Sequence, residues 1–93
     1  MSTGDQTSIR IDRLLVYLRF ARTRSAARTM IEGHALRHNR KHVQRVSESV
    51  AIGDVLTVVV GGEVRVVELL SIPTRRASPA RAKSHYRELD PQA

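Results

Sequence analysis

The sequence predicts an α+β fold, with two short helices first, then short strands and a hairpin, and a weak helix near the end. Three observations predict it. Apolar residues at Ile11, Leu14, Leu15 and Leu18 have the i, i+3, i+4, i+7 spacing of one helical face. A second stripe, Ala26, Ala27, Met30 and Ile31, follows Thr23 and precedes Gly33. Two β-branched runs, 55–60 and 64–72, flank Gly61-Gly62, a pair that tolerates the positive φ of a tight hairpin turn.

Taken in order, residues 1–8 are polar and patternless and read as a flexible tail. Helix one is predicted over 12–20, with Asp12 as its N-cap and Ile11 with Val16 as a hydrophobic staple. Helix two starts at the Thr23 cap and ends at Gly33, where a left-handed C-terminal cap is wanted. Ala35-Leu36, a turn at Asn39-Arg40-Lys41, Val43 and Val46 suggest short strands, and the hairpin follows. Ser78 as cap and Pro79 at the first helical position predict a last helix from 79 to about 89, with a thin face of Ala82, Tyr86 and Leu89. The chain divides into a tail (1–8), one domain (9–72) and a C-terminal extension (73–93) with a short helix.

The 93 residues hold 16 Lys+Arg against 9 Asp+Glu, a formal charge of +7, but the charge is not spread evenly. From Arg10 to Arg45 ten basic residues meet only Asp12 and Glu32, whereas from Val46 onward six basic residues meet six acidic ones. Arginine dominates, and its planar fork matches phosphate oxygens. A polyanionic partner is therefore the first hypothesis; a merely solvated basic face is the alternative. There is no cysteine, so disulfides and thiolate metal sites are excluded. No apolar run approaches the roughly 18 residues of a membrane helix, and MSTGDQTS lacks the basic and apolar regions of a leader. A cytoplasmic protein without membrane contact is expected.

The most informative local feature is Arg22-Thr23-Arg24-Ser25 at the start of helix two. Cations are mildly unfavourable at a helix N-terminus, so arginine on both sides of the cap, with Arg28 one turn on, suits a phosphate. The alternative is that Thr23 merely caps and the arginines face solvent. Arg37, Arg40, Lys41 and Arg45 form a second basic cluster around the turn, expected to lie beside helix two. His34, His38 and His42 are spaced by four, but Gly33 and Asn39 argue against a helix there, so no metal or cofactor is expected. His38 and His42 read instead as neutral hydrogen-bonding groups beside phosphates. No nucleophile or nucleotide-loop motif is present, so the chain does not read as an enzyme. With one Phe, two Tyr and no Trp, recognition should run through phosphates and shape rather than base stacking. Folded RNA is the favoured partner; duplex DNA and an acidic protein are the alternatives.

The series Arg10-Ile11-Asp12-Arg13-Leu14-Leu15, Arg19-Phe20-Ala21-Arg22-Thr23-Arg24-Ser25-Ala26-Ala27-Arg28, Ile31-Glu32-Gly33, Asn39 and Ile52-Gly53-Asp54 resembles the S4-type RNA-binding domain family. Within it the likeness is strongest to the stand-alone bacterial heat-shock members. The resemblance implies two antiparallel helices packed on a small, strongly bent antiparallel sheet, with RNA held between the helices and the strand turn. It places Arg10, Arg13, Thr23, Arg24, Ser25, Arg28, Arg40 and Lys41 at the RNA surface and Leu14, Leu18, Ala27, Ile31 and Leu36 in the core. Where relatives often carry Asn-Gly at the turn, this chain has Asn39-Arg40. The implied partner is ribosomal RNA or the large ribosomal subunit carrying nascent-chain tRNA, bound by a monomer in ribosome rescue under stress.

Overall fold

A computed structural model describes residues 7–76 and 78–89. Most of the tail expectation lies outside them, but Ser8 is already in strand β1 (Ser8–Arg10), which runs antiparallel to β4 (Ser49–Ala51) with Ile9 opposite Val50. Helix α1 (Ile11–Tyr17) follows directly, and Ile11, Leu14, Leu15 and Leu18 are all buried, as their spacing predicts. Its start differs from the expectation. Arg10 holds the N-cap position, Ile11 is the first helical residue, and the Asp12 carboxylate is turned toward arginines rather than capping; the staple with Val16 lapses with it. The helix also stops at Tyr17, because Arg19 takes a left-handed φ of 68° and the amides of Phe20 and Ala21 fold back onto the Leu15 carbonyl.

Helix α2 (Arg24–Glu32) begins as predicted, with Thr23 Oγ1 accepting from the Ala26 amide at 3.1 Å. Its exit is different. Gly33 has an ordinary φ of −83°, and His34 takes the left-handed conformation at 58°. Glycine at 33 instead answers to space, since a Cβ there would stand 3.2 Å from the Thr29 carbonyl oxygen.

A five-stranded antiparallel sheet follows in the order β3 (Lys41–His42), β2 (Leu36–His38), β5 (Val55–Val60), β6 (Glu63–Leu69), β7 (Tyr86–Leu89). Both tight turns have two consecutive positive-φ residues: Asn39 (51°) with Arg40 (76°), and Gly61 (60°) with Gly62 (81°). This geometry matches the right-handed twist of the flanking strands. Asn39 is tied further, because its amide donates to the Val55 carbonyl and its side-chain oxygen accepts from the Val55 amide, both at 2.8 Å.

The last helix is shorter than expected. Ser78 caps α3 (Pro79–Lys83), with Pro79 first, but residues 86–89 form β7 and pair with β6 from Leu69↔Tyr86 to Val66↔Leu89. The outer edge of β6 would otherwise expose unpaired backbone groups. Tyr86 also meets the buried Phe20, ring centroids 5.3 Å apart. One core unites the elements: Leu14, Leu15, Leu18, Ala27 and Ile31 from the helices face Leu36, Val50, Leu56, Val58, Val67 and Leu69 from the strands. Each Leu, Ile or Val side chain among them contributes about 1.5–3 kcal/mol when fully buried.

Candidate nucleic-acid interface

The short connection 18–23 brings the starts of α1 and α2 together, and Asp12 joins them. It is only 3% exposed, yet receives Arg24 through Nη2 (2.9 Å) and Nε (3.3 Å), Arg10 through Nη2 (3.1 Å) and Nε (3.2 Å), and the Arg13 amide (2.8 Å). Burial alone would raise the Asp12 pKa; the hydrogen bonds from Arg24, Arg10 and the Arg13 amide, with the Arg10 charge, outweigh it and hold the carboxyl below its usual range. The arginines themselves reach outward, with side chains 42% and 57% exposed for Arg10 and Arg24. Asp12 thus orients two guanidinia while about half of each side chain remains open to a ligand.

Those side chains line a groove of about 420 Å³ with Ser25, Arg28, Thr29 and Val46. Val46 is there because the segment after β3 closes the start of α1: the carbonyls of Val46 and Glu48 accept from the amides of Asp12 (3.3 Å) and Ile11 (2.8 Å). Arg28 lies one turn beyond Arg24 and makes no ion pair or hydrogen bond through its side chain among the described residues. Three guanidinia against one carboxylate leave the groove positive, with α2 starting at its edge. An anion here meets planar donors and a helix N-terminus together.

The structure gathers Arg10, Arg24, Ser25 and Arg28 into this groove, with Thr23 capping at its rim. Arg13, Arg22 and Arg45 are exposed nearby in sequence but do not line it, and Lys41 is exposed on β3. Arg37 and Arg40 lie elsewhere. They line a separate hollow on the sheet with His34, His42, Thr57 and Val59, beside the end of α2 rather than its start. The groove takes α2 from Arg24 to Thr29, and the second hollow begins only at His34, past the end of the helix.

One of the histidines, His38, also differs from expectation. His34 and His42 meet edge to face with centroids 5.3 Å apart. His38 sits between two carboxylates, Nδ1 2.6 Å from Glu48 and Nε2 2.7 Å from Asp54, so it is a structural link rather than a phosphate neighbour. Burial disfavours its charged form, but Asp54 and Glu48 outweigh burial and raise its pKa. Asp54, which also accepts from the Ala51 amide at 2.9 Å, is held below its usual range despite burial. Sequence reasoning missed Asp12 as the organiser of the groove, together with Thr29 and Val46. The available signal for Asp12 was a lone acid embedded in a basic run between buried positions.

Comparison with known proteins identifies the family to which this fold belongs. The S4 domain family matches residues 9–56, and the chain belongs to that family. S4 domains form an RNA-binding family, not one known for enzymatic activity. More particularly, the chain is similar to heat shock protein 15. A solved trimeric structure of heat shock protein 15 from Vibrio cholerae superposes with a TM-score of 0.82 at 33% identity, covering 88% of this chain and 82% of that one. Heat shock protein 15 homologs of Haemophilus influenzae (28% identical, 91% of this chain) and Aeromonas salmonicida (32%, 90%) also match. The chain spans 64% and 63% of the length of those two relatives. Among the described residues no helix is long and apolar enough to cross a membrane.

Proposed function

We propose that the protein is a non-enzymatic, cytoplasmic binder of structured RNA that works through phosphate contacts. Its target is ribosomal RNA, in the form of a large ribosomal subunit that still carries nascent-chain tRNA, and its setting is ribosome rescue under stress. The observation that carries the reading is the groove between α1 and α2, where Asp12 orients Arg10 and Arg24 beside an unpaired Arg28. Membership of the S4 domain family and likeness to heat shock protein 15 support the RNA class and the ribosomal setting.

A salt titration of binding to a hairpin RNA tests the phosphate mechanism. Each phosphate contact contributes about 0.7–0.9 to the slope of log K against log[salt], so four to six contacts give about −3 to −5. A slope near zero overturns the mechanism. Competition by duplex DNA as strong as by hairpin RNA overturns the choice of RNA. Co-sedimentation with purified subunits tests the target: enrichment on large subunits bearing peptidyl-tRNA is expected, and equal recovery with either subunit, or with neither, contradicts it.

A further inference from the structure

The charge balance of the second half of the chain hides a segregation. The carboxylates from Val46 onward are Glu48, Asp54, Glu63, Glu68, Glu88 and Asp90, none of them between Pro73 and His85. That stretch carries Arg75, Arg76, Arg81 and Lys83. The fold collects three of these cations in one place. Buried Pro73 anchors the chain after β6, Ser78 caps α3 by accepting from the Arg81 amide at 3.3 Å, and Arg75, Arg76 and Arg81 line a common hollow of about 580 Å³ with Thr74, Ser78 and His85.

None of the three guanidinia makes an ion pair or side-chain hydrogen bond among the described residues. The contrast with neighbouring strands is direct, since Arg65 is paired with Glu88 and Arg87 with Glu68. Where this part of the fold needs arginine for structure, it supplies a carboxylate. In the hollow it leaves like charges together, an arrangement that repels itself until an anion enters. The lining contains no Phe, Tyr or Trp, its one aromatic ring being the His85 imidazole held through Nδ1 by Ser71 at 2.7 Å, and no carboxylate to hold a cation or a basic peptide. Guanidinium forks and hydroxyls at this density match the oxygens of a phosphodiester backbone.

We propose that this hollow is a second RNA contact, which takes the sugar–phosphate backbone of the same RNA that occupies the α1–α2 groove. The inference rests on the RNA reading given above and adds a place to it. α3 and β7 lie at the opposite edge of the five-stranded sheet from Lys41, so the bound RNA spans more of the molecule than the helical groove alone.

The test compares R75Q/R76Q/R81Q with R24A/R28A, both against wild type, on one hairpin RNA across a salt series, with thermal melting to confirm that each variant is folded. The hollow variant is expected to bind about tenfold or more weakly and to flatten the salt slope by about 2–3, at 0.7–0.9 per contact. Combined with the groove variant, its effect should multiply, because the two sets share no partner. Wild-type affinity and slope in the hollow variant, with loss only in the groove variant, overturns the second contact and leaves the RNA reading intact. Weakened binding with an unchanged slope also overturns it, since the loss would not be of phosphate contacts. No change in either variant overturns both readings. Unchanged RNA binding accompanied by loss of an acidic protein partner reassigns the hollow and overturns the proposal.

Discussion

Arginine is used in two ways in this protein, and the sheet and the helical groove show them side by side. On the sheet Arg65 forms a bidentate pair with Glu88 at 2.9 and 2.8 Å across β6 and β7, and its guanidinium stands 5.3 Å from the Phe20 ring centroid. The Glu88 partner, against the opposing effect of burial, raises its pKa beyond the ordinary guanidinium range. Arg87 likewise pairs with Glu68. These are cross-strand ties between charged neighbours, satisfied within the fold. At the groove the ratio reverses: Arg10 and Arg24 share the single carboxylate of Asp12, and Arg28 has none. A paired arginine stabilises a strand edge; an underpaired one is held ready for an external anion.

The largest effect that could break this contrast is on Asp12. D12A removes a buried acceptor of charge-assisted hydrogen bonds from two arginines and of the Arg13 amide, and should cost about 1.5–3 kcal/mol of stability by denaturant unfolding. It should also leave Arg10 and Arg24 without a fixed orientation. A variant as stable as wild type would mean that Asp12 is only a passive counter-charge. Next in size, R24A/R28A should weaken hairpin-RNA binding tenfold or more, about 1.4 kcal/mol, in a filter-binding assay. Its stability cost should stay within about 1 kcal/mol, because Arg28 is unpaired and Asp12 retains Arg10 and the Arg13 amide. Loss of fold with unchanged affinity per folded molecule would erase the distinction between the two uses. R65M should do the opposite: a stability loss of about 1 kcal/mol or less by thermal melting, and no change in RNA affinity.

How much of this was legible beforehand depends on range. The face of α1, the Thr23 cap, the Gly61-Gly62 hairpin and the arginines around the start of α2 are local patterns, and each appears where the spacing puts it. The failures are non-local. Ser8–Arg10 carries no periodic signal and becomes a strand only because β4 offers an edge. Ala82, Tyr86 and Leu89 have helical spacing, but the free edge of β6 and the ring of Phe20 draw residues 86–89 into the sheet. In the site, Arg37 and Arg40 share the charge of the groove residues but not their place, because β2 leaves the far end of α2. Asp12 looked like a cap because Asp often is one; its partner Arg24 lies twelve residues away and is invisible to local rules.

The two regions also respond to pH in opposite senses. The Asp12 carboxyl has a folded-state pKa below its ordinary value, so its contribution is present above about 3.9 and is lost as pH falls through the lowered value. His38, between Glu48 and Asp54, has a raised pKa, so its contribution is complete below about 6.5 and is lost as pH rises through the raised value. The sheet-side link should therefore weaken on the alkaline side while the groove clamp is still intact. Because Glu48 also lends its carbonyl to the Ile11 amide, loosening of the His38 pair reaches the segment that forms the groove wall. Thermal melting of wild type and H38Q across neutral to mildly alkaline pH isolates this effect: wild type should lose stability over that window, and H38Q, already lacking the pair, should show a flatter profile. The difference is expected to be the smallest of those considered, since both carboxylates remain partly open to solvent. Parallel profiles for the two proteins would show that the charged imidazole adds nothing to the link with Glu48 and Asp54, and that the charge pairing which matters belongs to the arginines.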